Sequence, residues 1–166
     1  MKKRGFTLIE IVLVIALIAI LSITMAVKWT GFEEAKLTSA VSKLAADIAY
    51  AQQLAITTQL FHGLSFDTTN EKYSLFRIEA DGTPTTIEDP YRRGEAFVVE
   101  YPLGELQGVT LQSVNIEGGD QLLFNWQGTP CDSSGTELTS DATITLECKG
   151  NTKTLTVVAE TGKVTW

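Results

Sequence analysis

Glu10 has the most unusual chemical setting in this 166-residue chain. It stands at the head of IVLVIALIAILSITMAV, residues 11–27, a run with no charge, glycine or proline. By insertion scales a carboxylate in hydrocarbon costs on the order of 2.5–3.5 kcal/mol, so Glu10 calls for a specific partner. Lys2, Lys3 and Arg4 place three of the thirteen basic residues on its N-terminal side. The remaining reactive groups are sparse. Cys131 and Cys148 are the only cysteines and His62 the only histidine, about seventy positions from Cys131, which does not make a four-ligand zinc site. In an exported domain the two cysteines read as one disulfide closing a short loop, worth roughly 3 kcal/mol in the chain-entropy model; two buried free thiols are the alternative.

Hydrolytic chemistry would need a nucleophile with an activated base, or a metal cluster. His62 lies at an expected helix end, where a dipole contact or packing is its ordinary role. Gly118-Gly119 reads as a turn and not a phosphate loop, because no helical pattern follows it. Asp132, Glu137 and Asp141 match no calcium-loop spacing and read as a solvated turn. No cofactor or metal is implied. A membrane-tethered periplasmic enzyme remains the alternative of a different class.

The elements that must position these groups fall into two kinds. Counted from Phe6, the apolar run makes a helix of about 33 Å, enough to cross a hydrocarbon core. The basic triplet predicts that its N-terminal side stays in the cytoplasm and that everything past about Lys28 is extracytoplasmic. Gly31 is expected to loosen the helix without ending it. Leu37, Val41, Leu44, Ile48, Ala51 and Ala55 then recur at spacings of four and three, one apolar stripe, with Lys36, Lys43, Asp47 and Gln53 opposite. Phe61-His62-Gly63 reads as the helix end, with Gly63 as a left-handed cap.

After Gly63 short β-prone runs alternate with turn residues. Leu64–Asp67 and Tyr73–Glu79 flank Thr68-Thr69-Asn70-Glu71 as a hairpin, and further strands are expected at Ala96–Tyr101, Val109–Ile116, Gln121–Trp126, Thr143–Cys148, Lys153–Ala159 and Lys163–Trp166. Residues 80–94, with two prolines, two glycines and clustered charge, read as a mobile loop. The fold class is therefore α+β: a long N-terminal helix packed on an antiparallel sheet or β-sandwich head.

The net charge is −7, and without residues 1–5 ten basic residues face twenty acidic ones, a balance of −10. A body of that sign repels a phosphate backbone, so nucleic acid is not an expected partner. An ordinary secretory signal would instead be cut near Thr24-Met25-Ala26, but its apolar region is shorter and holds no carboxylate.

Lys2-Lys3-Arg4 followed by Gly5-Phe6-Thr7-Leu8-Ile9-Glu10 and the apolar run resembles the N-terminus of the type IV pilin and pseudopilin superfamily. The resemblance implies cleavage between Gly5 and Phe6 by a membrane prepilin peptidase and N-methylation of Phe6. It further implies that Glu10 pairs with the terminal amine of a neighbouring subunit, which in low dielectric would fix one axial register. The domains expected are a leader at 1–5, a transmembrane and filament-core helix at 6–30, its amphipathic continuation at 31–63, and a periplasmic β domain at 64–166.

Within the superfamily, Gln121–Pro130 and Lys153–Trp166 resemble the late strand-and-turn segments of the GspH/FimT family, the second hinged on Gly162. The helix around Ala45-Ala46-Asp47-Ile48-Ala49-Tyr50-Ala51-Gln52 is similar too, although Gln52 departs from that family's frequent Ala-Arg pair. This points to a minor pseudopilin of type II secretion, non-enzymatic, at a tip or initiating position. The partners implied are prepilin peptidase, other pilin or pseudopilin subunits, an inner-membrane assembly platform and secreted cargo. The location implied is the bacterial inner membrane, single-pass with a periplasmic head. A minor type IV pilin, some of which bind DNA, is the alternative; Lys163 is the only cation after Lys153, with no arginine, which argues against DNA uptake. A major pilin is a further alternative. Trp126, Trp166, Tyr91 and Phe97 are expected in the core more than at contacts to subunits or cargo.

Overall fold

A computed structural model describes residues 7–101 and 104–166, without the side chains of residues 23–31 and of Glu105. It falls into two compact units, Met1–Ala35 and Lys36–Trp166. Helix α1, Leu8–Thr58, begins in the first and ends in the second and passes Gly31 without interruption.

In the second unit the periodic stripe is buried throughout: Leu37, Val41, Leu44, Ile48, Ala51 and Ala55 are each at most 1% exposed. The spacing that predicted this face is the physical reason for it, since residues three and four apart line one side of a helix. The helix ends earlier than expected. Gln59, at φ 60°, takes the left-handed position after Thr58, and its amide donates to the Ala55 carbonyl at 3.0 Å. His62 and Gly63 already belong to the first strand.

That strand, β1 (His62–Asp67), pairs antiparallel with β2 (Lys72–Ile78) around the expected turn. Asp67 closes the turn by accepting the amides of Thr69 and Asn70. On its other edge β1 pairs with β8 (Gln121–Phe124), which carries β9 (Pro130–Cys131). Gly63 matters here for space and not as a cap. A Cβ on it would stand 2.1 Å from the Leu122 carbonyl oxygen, so only glycine admits β8 so close.

The far edge of β2 is shared end to end by β3 (Pro84–Thr86) and β6 (Val98–Glu100), completing a six-stranded sheet among the described residues. Between them lies a separate hairpin, β4 (Glu88–Asp89) and β5 (Arg92–Ala96). The segment expected as a mobile loop is thus largely paired backbone. Pro84 is tolerated because it opens an edge strand, and Pro90 because it sits at a hairpin tip.

After a 3-10 turn at Gly104–Leu106, the second sheet is formed by β7 (Val109–Asn115), β10 (Ala142–Cys148), β11 (Asn151–Val157) and β12 (Val164–Thr165), all antiparallel in the order β12-β11-β10-β7. Alternation along β10 turns Ala142, Ile144, Leu146 and Cys148 inward. These join Leu64, Phe66, Tyr73, Leu75, Leu122 and Phe124 from the first sheet under the buried stripe of α1, giving one core. The fold class is the expected one, α+β with the helix packed on antiparallel sheets.

The expected disulfide is not formed. Cys131 and Cys148 are both free and buried. Cys148 belongs to the core beneath α1, whereas Cys131 packs with Phe76 and Leu123 in a separate apolar cluster, so each thiol serves as a small hydrophobe. Burial pushes the Cys131 thiol up to about 11.

Candidate assembly site

The N-terminal unit carries the chemistry singled out by sequence. Lys2, Lys3, Arg4, Gly5 and Phe6 lie outside the described residues. Thr7 opens the helix, its carbonyl accepting the amides of Glu10 at 3.0 Å and Ile11 at 3.3 Å. Glu10 sits exposed in the first helical turn, where a carboxylate complements the helix dipole. Leu8, Ile9, Ile11, Val12, Leu13, Val14, Ile15, Leu17, Ile18, Ile20 and Leu21 are all exposed. These positions encircle the helix, and a helix apolar all round requires lipid or other helices about it. Among the described residues no helix is long and apolar enough to cross a membrane. The apolar run continues to Val27, into the stretch whose side chains are not described.

In the second unit α1 is fixed to the sheets by polar contacts as well as apolar ones. Asp47, expected on the outer face, is 8% exposed. It accepts the Tyr73 hydroxyl at 2.6 Å and pairs with the Lys43 ammonium at 2.9 Å. Burial, with Tyr101 and Asp47 nearby, raises the Tyr73 pKa well above its ordinary value, and burial raises that of Tyr101 likewise. Gln52 donates to the carbonyls of Gly128 at 2.8 Å and Thr161 at 3.0 Å, which belong to the β8–β9 and β11–β12 turns. Gly162, at φ 67°, makes room for that amide; a Cβ there would stand 2.5 Å from Gln52 Nε2. Sequence reasoning noted Gln52 only as a departure from a family pattern, and a long amide in an alanine-rich helix was the available signal.

The other candidates disperse. His62 is buried in β1, its Nδ1 3.1 Å from the Leu60 carbonyl, and burial lowers its pKa. Asp132 closes its own turn through Ser134 and Thr136, Glu137 accepts Asn125 Nδ2, and Asp141 accepts the Ala159 amide. Among the described residues no group of three or more His, Cys, Asp or Glu is placed to hold a metal. Phe97 is in the core as expected; Trp126, Trp166 and Tyr91 are exposed instead. Tyr91 and Trp126 sit in turns.

Residues 1–26 match the family model described as the prokaryotic N-terminal methylation motif. The chain is similar in structure to the minor pseudopilin EpsH from the type 2 secretion system of Vibrio cholerae, at 14% identity and a TM-score of 0.58 over 78% of this chain and 94% of that one. It is also similar to the type IV minor pilin FimU of Pseudomonas aeruginosa, at 18% identity and a TM-score of 0.52 over 80% and 89%. The matched motif is a prokaryotic N-terminal methylation signal, and the fold is one shared with EpsH and FimU. Comparison with curated proteins finds no match. In the first unit the exposed apolar circumference of α1 starts beside Glu10; in the second, Asp47 and Gln52 tie the helix to the sheets and their turns.

Proposed function

We propose that the chain is a minor pseudopilin, a non-enzymatic subunit of a type II secretion filament that acts from a tip or initiating position. The observation that carries this reading is the exposed apolar stretch Leu8–Leu21 of α1 with Glu10 in its first turn. Residues 1–5 are a leader removed by prepilin peptidase between Gly5 and Phe6, with N-methylation at Phe6. Residues 6–30 span the inner membrane before assembly and enter the filament core afterwards; 31–63 continue the helix, and 64–166 form a periplasmic head. Glu10 pairs with the terminal amine of a neighbouring pilin-type subunit and so sets the axial register. The partners are those subunits and the inner-membrane platform, with secreted cargo at the head. A likeness in fold reaches secretion and pilus proteins alike, so the choice rests on charge: the acidic body and a tail with Lys163 as its cation favour secretion over DNA uptake.

Mass analysis of the chain from its native membrane should give a methylated Phe6 as the first residue; an N-terminus at Val27 would refute the tethered reading. Glu10→Ala should be processed normally and incorporated poorly. Crosslinking that recovers secretion-type subunits supports the assignment, and recovery of pilus subunits alone overturns it.

A further inference from the structure

Charged and aromatic residues bracket the apolar part of α1 at the spacing of a bilayer. Glu10 is exposed in the first helical turn. Residues 11–27 hold no charge, and Lys28 is the next ionisable group, followed by Trp29, Phe32, Glu33 and Glu34. The helix is unbroken between these points, so Glu10 and Lys28 stand about 27 Å apart along its axis. The hydrocarbon core of a bilayer is ~30 Å thick.

The surface between these ends suits lipid on every side. Ile11, Val12, Leu13 and Val14 are each 47–59% exposed. Consecutive helical positions lie about 100° apart, so these four cover the whole circumference instead of the single stripe that a partner surface would need. Ser22 is the only polar side chain in residues 11–22, and its hydroxyl donates to the Ile18 carbonyl at 2.7 Å, satisfied within the helix as hydrocarbon requires. Beyond the run, Phe32 is 63% exposed. Trp29 and Phe32 are three positions apart, the spacing of one helix face, with a lysine before them and two carboxylates after. Aromatic rings and lysine are enriched where a helix leaves hydrocarbon, the ring or stem lying against lipid and the polar group in the headgroups.

We infer that residues 28–32 dock in the outer headgroup layer of a phospholipid bilayer and that Glu10 then falls in the inner one, where its carboxylate stays hydrated in the unassembled subunit. This placement rests on the reading of residues 6–30 as the membrane span and sharpens it. Hydrocarbon is confined to residues 11–27, and Glu10 loses its water only when the helix leaves the lipid for a protein environment. The match between helix rise and core thickness selects lipid as the occupant.

The test places the full-length chain in nanodiscs of phosphatidylethanolamine and phosphatidylglycerol, open to water on both faces. Reaction with a charged maleimide is timed for Glu10→Cys, Ile18→Cys and Phe32→Cys, one at a time, with the buried Cys131 and Cys148 as the slow background. Glu10→Cys and Phe32→Cys should each react at least about tenfold faster than Ile18→Cys, because hydrocarbon excludes water and the reagent. A second measurement keeps Glu10 intact: with Trp126→Phe and Trp166→Phe, Trp29 is the remaining tryptophan, and lipids brominated near the headgroup should quench it more than lipids brominated near the chain end. Protection of Glu10→Cys or Phe32→Cys equal to that of Ile18→Cys, or deeper quenching of Trp29, overturns the placement and leaves the span standing. Fast reaction at Ile18→Cys refutes the span itself, and the placement with it.

Discussion

Tyr73 donates its phenolic hydrogen to Asp47 across 2.6 Å, joining the middle of the first sheet to the buried side of α1. Asp47→Ala removes the acceptor and leaves the phenol unpaired in the core, so unfolding should become easier by about 2–4 kcal/mol. Tyr73→Phe leaves Asp47 with Lys43 and should lose about 1–2 kcal/mol. Urea unfolding of both variants checks the order.

The same cluster sets an alkaline limit. Tyr73 and Tyr101 have pKa values raised above the ordinary 10, first by burial and then by the Asp47 charge they face, with Tyr101 also acting on Tyr73. The folded chain therefore keeps protons that the unfolded chain releases. Their contribution is complete below pH 10 and is lost as the pH rises beyond it. Stability measured from pH 8 to 11 should fall at the upper end, and Tyr73→Phe combined with Tyr101→Phe should flatten that fall.

On the acid side His62 acts in the opposite sense. Burial lowers its pKa below 6.5, so the unfolded chain takes up a proton that the folded one resists. Stability from this group is present above pH 6.5 and declines as the pH drops below it. His62→Gln should reduce the slope between pH 6.5 and 5, a window above the range in which Asp67, Asp81 and Asp132 titrate.

Gly63→Ala should be severely destabilising, by about 3 kcal/mol or more, because the methyl group meets backbone and not a movable side chain. Thermal unfolding and soluble yield both report it. A substitution at the open turn glycine Gly118, which meets nothing within 4 Å, strains only the local φ and should do less.

Gln52→Ala deletes two hydrogen bonds to turn carbonyls and should lower stability by about 1–3 kcal/mol. Limited proteolysis should then cut faster within residues 125–129 and 158–163, whereas cleavage at 67–72 should be unchanged.

Periodicity made α1 and its core stripe legible, and turn residues made the β1–β2 hairpin so. What escaped depended on partners distant in sequence. Asp47 looks like a solvated helix residue until β2 brings a phenol from twenty-six positions away. Gly63 reads as a cap until β8 presses against it. Residues 80–94 have a loop's composition, but β2 offers an open edge that any extended backbone can satisfy. The cysteines illustrate the same limit, since two thiols close enough in sequence to bridge were assigned by the chain to different apolar clusters.

The bracket at Leu75 has an architectural consequence. Its carbonyl receives the Ile87 amide and its own amide reaches the Phe97 carbonyl, so the intervening segment leaves and re-enters the sheet at one point. Such a closed socket makes the length of what it holds nearly independent of the core, since doubling a loop between fixed ends adds only about 0.6 kcal/mol of closure entropy. The position between Ile87 and Phe97 is therefore a natural graft point, where an epitope or a foreign binding loop can replace the hairpin while the helix and both sheets keep their packing.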